Sequence, residues 1–380
     1  MSDQFQHRSK DPDGHCFRWG LWTRVVAVML CYVAAAGWAV RIQSQPAQLS
    51  FAQFVADFSE PGGDFDTDNL ISNEKSYLHV IPLLEQSQVT GGIYIGVGPD
   101  QNFSYIARIR PSSAFIVDIR RDNLLLHLLF KALFAASRNR AEYLCLLTGR
   151  PVPDGVEGWR DASIEQIIAY IDGARPAATP ALDRRLHEII NRFGVPVSAK
   201  DFATIDRFHA AFIDSGLSLR FQSFGRPPQT YYPTYRELLV ETDRTGRQQC
   251  YLASESDFQF VRSLEGRDGV IPVVGDVSGM HAILAIGRWM SERHERLSAF
   301  YVSNVENYLF RDGSFTQYME NLSHLPHSDH SVIIRSIFGG YVLSDSVPGY
   351  FSTSTIQDIS ELLFKYSAGK YRSYIDLLRQ

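Results

Sequence analysis

The sequence is poor in cysteine, in basic runs and in the short motifs of the common enzyme classes. Each lack removes a reading. Four cysteines occur in 380 residues, and two of them, Cys16 and Cys31, lie in the N-terminal segment. Only Cys145 and Cys250 remain, either to pair in an oxidising compartment or to serve as small buried hydrophobes. Asp and Glu number 42 against 37 Lys and Arg, the net charge is −5, and no long basic run occurs. A nucleic-acid footprint needs clustered Lys and Arg, so no nucleic-acid partner is expected. No G-x-S-x-G elbow, H-E-x-x-H, C-x-x-C or G-x-x-x-x-G-K-[ST] is present. That argues against triad hydrolases, zincins, thioredoxins and P-loop enzymes. His324, His327 and His330 lie close to Asp329, but Pro326 breaks any helix that would align them. No metal is expected.

What is present is ordinary globular composition, 45% hydrophobic and 21% charged, with length for a large core or two lobes. The first 45 residues differ from the rest. Arg8, Lys10 and Arg18 precede an apolar run from Gly20 to Val40 that only Arg24 interrupts. This is the pattern of a secretory signal, and the run is also near the ~20 residues that span a bilayer. Residues 1–45 are therefore read as a signal peptide or membrane anchor plus linker. The basic residues before the run place the remainder outside the cytoplasm, periplasmic, secreted or anchored at the inner membrane. Membrane contact is expected through this segment alone. If it is not a true leader, the protein is cytoplasmic.

From residue 92 the text alternates between strand and helix. Ile93–Val97, Ala114–Asp118, Val270–Gly275, Leu297–Ser303 and Ser331–Phe338 are near-continuous apolar runs, as strands buried on both faces read. Helices are expected over 103–110, opened by Asn102, and over 123–137, 279–293, 354–365 and 370–378. Between the second and third strands the periodicity is helical throughout. Ser163-x-x-Gln166 has the form of a capping box and Ser198 caps a further helix. The expected fold is α/β, a doubly wound and mostly parallel sheet with a large helical insertion between strands two and three. Four regions follow: 1–45, 46–137 with the first half of the core, 138–260 as the helical insertion, and 261–380 with the second half.

The stretch "IGVGPDQN", residues 95–102, carries the first chemical signal. A loop leaving a buried strand can approach a ligand closely where Cβ atoms are absent, hence Gly96 and Gly98. The helix N-terminus that follows presents a partial positive end. The dinucleotide fingerprint fails at its third glycine, which would fall on Gln101. Asp118 ends the second strand 22 residues after Gly96, close to the spacing of the acid that takes a ribose diol. It could instead pair with Arg120 or Arg121. Further on, "SNVENYL" brings Asn304, Glu306 and Tyr308 together. Asn304 and Glu306 could orient or deprotonate a substrate on which Tyr308 stacks, or Asn304 could cap a helix with Tyr308 in the core. The cluster Asp66, Asp68, Asn69 and Glu74 reads as a solvated turn or as a polar lip over a pocket.

Residues 91–123, with 270–276 and 297–308, resemble the core of class I S-adenosylmethionine-dependent methyltransferases. From about 50 to 350 the chain is similar to an uncharacterised bacterial family of that fold, through "YIGVGPDQNFSYI", "FIVDIRR", "VVGD" and "FYVSNVENYL". The resemblance implies a seven-stranded Rossmann-like sheet with S-adenosylmethionine across the ends of strands one, two and four. It implies Gly96, Gly98, Pro99 and Asn102 at the methionine end, Asp118 at the ribose, Asp276 near the adenine and Ser303-Asn304 at the active-site edge. Asn304, Glu306 and Tyr308 are then the candidate catalytic residues. The departures are an acid replaced by Tyr94 and a third glycine replaced by Asp100. In place of the Asn/Asp-Pro-Pro-aromatic turn of amino-methylating relatives stands Asn304-Val305-Glu306-Asn307-Tyr308.

Two function classes follow. One is a methyltransferase-like enzyme with a helical substrate lid. The other is an exported, non-catalytic or repurposed protein binding a ligand or partner. A nicotinamide oxidoreductase using Asp118 is a third. In each the small-molecule ligand lies in a cleft at the C-terminal ends of the strands.

Overall fold

The computed structural model describes residues 49–177, 180–227, 229–339, 341 and 343–379. The expected leader, with Cys16 and Cys31, lies outside the described residues. Among the described residues no helix is long and apolar enough to cross a membrane.

Six strands form one sheet: β1 (Ile93–Gly96), β2 (Ser113–Asp118), β3 (Val270–Val274), β4 (Leu297–Ser303), β5 (His327–Phe338) and β6 (Ser352–Asp358). Their order is β3-β2-β1-β4-β5-β6. Neighbouring strands are parallel except β5 and β6, which run antiparallel. Every residue of β1 and β3 is buried, which is why both read as unbroken apolar runs. Side chains alternate between two aromatic layers. Phe115 meets Phe58 at 5.2 Å and Trp289 at 5.3 Å, while Phe300 meets Tyr318. On the other side, Tyr94 and Tyr301 meet Tyr105, the latter at 5.0 Å. Each such pair adds about 0.5–1.5 kcal/mol beyond its buried area.

Between β2 and β3 the chain is helical, apart from isolated bridges at Arg220–Thr234 and Thr242–Gln248. The helix Arg121–Ala136 is buried nearly all round, because helices Pro180–Arg192, Ala199–Ser215 and Glu255–Gly266 pack over it. Ser163 and Ser198 form the reciprocal caps expected of a capping box, with Gln166 and Asp201. Cys145 and Cys250 are free, buried thiols.

The tail departs from expectation. A helix was expected from 354, but Ser352–Asp358 is a strand and the helix begins at Ile359. β6 pairs with β5 from Val332 opposite Asp358 to Phe338 opposite Ser352, and its buried residues Ser352, Thr353 and Ser354 carry hydroxyls rather than apolar side chains. Ser354 bonds Ser336 of β5 at 3.1 Å, and Ser352 bonds Ser76 at 2.8 Å. The seven-stranded expectation is corrected too: the described sheet has six strands.

Candidate functional site

Strand order reverses at β1, whose neighbours are β2 on one side and β4 on the other. A crevice opens at the C-terminal strand ends where such a reversal occurs. A cavity of about 570 Å³ lies there. It is lined by Val97 and Gly98 after β1, by Val117–Arg120 at β2, by Gly275–Ser278 after β3 and by Ser303–Val305 at β4. A strap over residues 59–73 contributes Asp64, Phe65, Asn69, Ser72 and Asn73, with Glu74 just beyond it. The strap is tied to the strand ends. Glu60 N donates to Val274 O at 2.9 Å, Gly63 N donates to Ile119 O at 2.7 Å, and Asp276 N donates to the Glu60 carboxylate at 2.8 Å.

The loop after β1 is built from within. The Asn102 side-chain amide donates to the carbonyls of Val97 (2.9 Å), Gly98 (3.3 Å) and Pro99 (2.7 Å). His127 Nε2 meets the Gly98 carbonyl at 2.9 Å. Asn102 Oδ1 accepts from the Tyr94 hydroxyl at 2.7 Å. A Cβ on Gly96 would stand 1.9 Å from that Oδ1, so the room at Gly96 is taken by Asn102 and not left for a ligand. Gly98, at φ +81°, does line the cavity. Pro99 and Asn102 do not appear in its lining. Asn102 also sits inside the helix Gln101–Ile109, where it was expected as the cap.

Asp100 turns away from the cleft. Its Oδ2 accepts from Tyr235 (2.9 Å) and Tyr251 (3.3 Å), beside a second void of about 10 Å³. Burial pushes this carboxyl up to about 6, against the opposing pull of the tyrosine donors. Gln101, at the failed glycine position, reaches the main cavity instead. Its Nε2 donates to the Tyr301 hydroxyl at 3.2 Å, and its Oε1, buried, has no partner.

Asp118 lines the same cavity as Gly98, and it is held by Arg120. The Arg120 backbone amide and Nε both donate to Oδ1 at 2.9 Å, and Nη2 donates to Oδ2 at 2.7 Å. Arg120 Nη1 donates onward to Thr67 O in the strap. Oδ1 is thereby saturated while Oδ2 keeps one acceptor site. Asp276 lines the cavity with Oδ1 accepting from the amide and hydroxyl of Ser278, each at 2.8 Å.

At β4, Ser303 lies in the left-handed region at φ +53°, a conformation costing roughly 1–3 kcal/mol for a non-glycine residue. Its hydroxyl donates to the Glu74 carboxylate, as does that of Ser336. Glu74 is only 1% exposed and lines the cavity. Burial raises its carboxyl, while Ser303, Ser336 and Tyr301 act in the other direction. Asn304 and Tyr308 also line the cavity, and Phe65 meets the Tyr308 ring edge-on at 5.6 Å. Glu306 does not. It forms a bidentate ion pair with Arg335 at 2.6 and 3.1 Å, both residues 1% exposed. The pair leaves it no part in the cleft.

Gln101 and Arg120 were not singled out from the sequence as site residues, and of the cluster read as a solvated turn or a polar lip, Asn69 and Glu74 line the cavity. Glu74 was visible only as one acid in a polar turn, since its partners Ser303 and Ser336 lie far away along the chain. The lining holds the acids Asp64, Glu74, Asp118, Asp276 and Asp312, against Arg120 and Arg311. Arg120 is neutralised by Asp118 and Arg311 is bonded to Asp312. The cavity therefore carries a negative surplus. Among the described residues, no group of three or more His, Cys, Asp or Glu side chains is placed to hold a metal ion.

A family model described as "Domain of unknown function (DUF7790)" matches residues 70–156 and 215–378. The matched spans cover most of the cavity lining and leave out residues 59–69 of the strap and helices Ile164–Gly173, Pro180–Arg192 and most of Ala199–Ser215. No curated protein matches the chain.

Proposed function

The chain belongs to the DUF7790 family, and we propose that it is a Rossmann-like, S-adenosylmethionine-dependent methyltransferase-like protein that binds its cofactor in this cavity. The observation that carries the reading is one cavity, at the point of strand reversal, that holds both the Gly98 bend and the Asp118 carboxylate. Its volume falls within the roughly 300–1,000 Å³ of small-molecule pockets. The acidic surplus separates the cofactors. Phosphates of a nicotinamide dinucleotide would meet like charge, whereas a sulfonium and an ammonium meet opposite charge. The loop itself supports this, since Pro99 has no N–H and Asn102 occupies three of its carbonyls.

In this reading Gly98 borders the methionine end, Asp118 Oδ2 accepts from the ribose, Asp276 borders the adenine, and Ser303, Asn304 and Tyr308 face the methyl acceptor. The bound cofactor would supply an electrophilic methyl group. The chain's own task is to align an acceptor with it, which requires no general base. The partner is a small molecule, and the acceptor enters past Phe65 and Tyr308.

A second reading is an exported binding protein without catalysis. The basic and then apolar N-terminal sequence favours it, because the methyl donor is made in the cytoplasm. Calorimetric titration of the full chain with S-adenosylmethionine and S-adenosylhomocysteine, beside Asp118→Ala, tests the first reading. Heat with the wild type and a loss of affinity in the variant are expected. No heat with the wild type removes the cofactor, and equal affinity in the two proteins removes the role of Asp118. A reporter fused after residue 60 decides the compartment.

A further inference from the structure

The cavity lining holds one buried acceptor without a partner, Gln101 Oε1, and one buried carboxyl without a counter-ion among the described residues, Glu74. Glu74 is buried, yet among the described residues no Lys, Arg or His forms an ion pair with it. The titratable groups facing it are Tyr94, Tyr105, Tyr301 and, less directly, Tyr374, and burial pushes all four above the usual tyrosine range, so they stay neutral. A buried carboxyl without a cation is costly to ionise, so burial alone favours its neutral form and a bound cation would favour the charged one. The arrangement is also rigid. Ser303 donates to one oxygen from a strained backbone, and Ser336 donates to the other. Ser336 is itself fixed by Ser354, which bonds Ser76. One hydroxyl on each oxygen leaves further acceptor capacity on both.

The second, independent feature is Gln101. Its Nε2 donates to the Tyr301 hydroxyl at 3.2 Å, and Tyr301 is also one of the groups that act on the Glu74 carboxyl. With Nε2 on Tyr301, the other end of the Gln101 amide, Oε1, is left over. That Oε1 is buried, unpartnered and on a residue lining the cavity. A carboxyl without a counter-ion and an orphan carbonyl in one cavity lining call for a positive group that carries several N–H donors.

We infer that Glu74 and Gln101 form a subsite for a primary ammonium group of the ligand bound in this cavity. An ammonium has three donors, one for a Glu74 oxygen, one for Gln101 Oε1 and one to spare. A sulfonium or quaternary amine would balance the charge but leave Gln101 Oε1 unpaired. The inference deepens the proposed reading, whose cofactor carries such an ammonium, but its footing is the chain's own acceptors.

The test uses the full chain and Glu74→Gln, which keeps the shape and removes the charge, with one serine hydroxyl still donating to the amide oxygen and the other turned to accept from the amide nitrogen. With S-adenosylmethionine and S-adenosylhomocysteine as probes, the variant should bind both about 10- to 100-fold more weakly, because both carry the ammonium. Gln101→Leu should weaken both by about tenfold. Equal affinity in wild type and Glu74→Gln overturns the subsite, and a loss confined to S-adenosylmethionine overturns the choice of ammonium over sulfonium. Melting temperature is the arm that needs no ligand. A carboxyl raised in the folded state withdraws stability as pH rises through its folded value. Glu74→Gln should therefore melt above the wild type near about pH 8, with the gap closing toward about pH 4. If the wild type binds neither probe, the cofactor reading falls while a stabilised variant still supports an anion awaiting a cation. A variant that melts below the wild type near about pH 8 overturns the inference, because Glu74 would then be structural.

Discussion

Glu306 offers the sharpest quantitative test of the architecture. Replacing it by Gln removes one charge and almost no volume. Arg335 then stays in the core at 1% exposure, with Nη1 still donating to Gln357 at 2.9 Å but without a counter-ion. In the wild type, burial opposes the Arg335 charge, yet its Glu306 partner outweighs this and raises the guanidinium. Removing one member of a fully buried pair costs about 3–5 kcal/mol. A folded unit of roughly 330 residues unfolds with an entropy near 0.7 kcal/mol/K, so melting should fall by about 4–7 °C. Scanning calorimetry on the full chain reads this directly. The double variant Glu306→Leu/Arg335→Met replaces both charges with apolar groups of similar volume and should return to within about 2 kcal/mol of the wild type. Ligand affinity of Glu306→Gln should match the wild type. A melting point within about 1 °C of the wild type, or a selective loss of binding, would refute the assignment of Glu306 to the core.

Three further outcomes follow from the same geometry. Gly96→Ala should destabilise by about 2–3 kcal/mol in urea titration, since the new methyl would collide with Asn102 and Tyr94; wild-type stability would show that the loop can yield. Asp100 is raised to about 6, so its burial withdraws stability as pH climbs from the unfolded value to that one, and Asp100→Asn should flatten the unfolding free energy between about pH 3 and 7 by up to about 3 kcal/mol. An unchanged pH profile would contradict this. Burial pushes the Cys145 thiol up to about 12 and the Cys250 thiol up to about 11, so neither should react with a disulfide reagent until the chain unfolds. Fast labelling of the native protein would count against these placements.

Strands β1 to β5 were legible because strands covered on both faces leave continuous apolar runs, and most of their expected ends fall within a residue or two of those observed. The start of β5 is the exception. The strand extends back to His327, through a polar stretch that gave no strand signal. β6 was illegible because its buried residues Ser352, Thr353 and Ser354 carry hydroxyls, which give no apolar alternation to read. The glycines show a different limit. Gly96 and Gly98 look alike in the sequence, yet one makes room for Asn102 and the other borders the cavity. Sequence spacing brought Asp118 to notice and left its pairing open; the structure pairs it with Arg120, two residues on. Glu74 was legible only as one member of a polar cluster, a solvated turn or a lip over a pocket, because a carboxylate becomes unusual only through what surrounds it. Glu306 and Arg335 sit 29 residues apart, and no local pattern joins them.

The strap over residues 59–73 bears on any attempt to shorten the protein. A chain trimmed to begin at residue 70, where the family match starts, would keep the sheet and every strand-end carboxylate. It would lose the main-chain ties to Val274 and Ile119 and the carbonyl that takes the third arm of Arg120. The trimmed protein would have an uncovered basin in place of a chamber, with water reaching Asp118 and the guanidinium beside it. Weak or absent binding by such a fragment would therefore reflect the missing cover, and says nothing against the native chain.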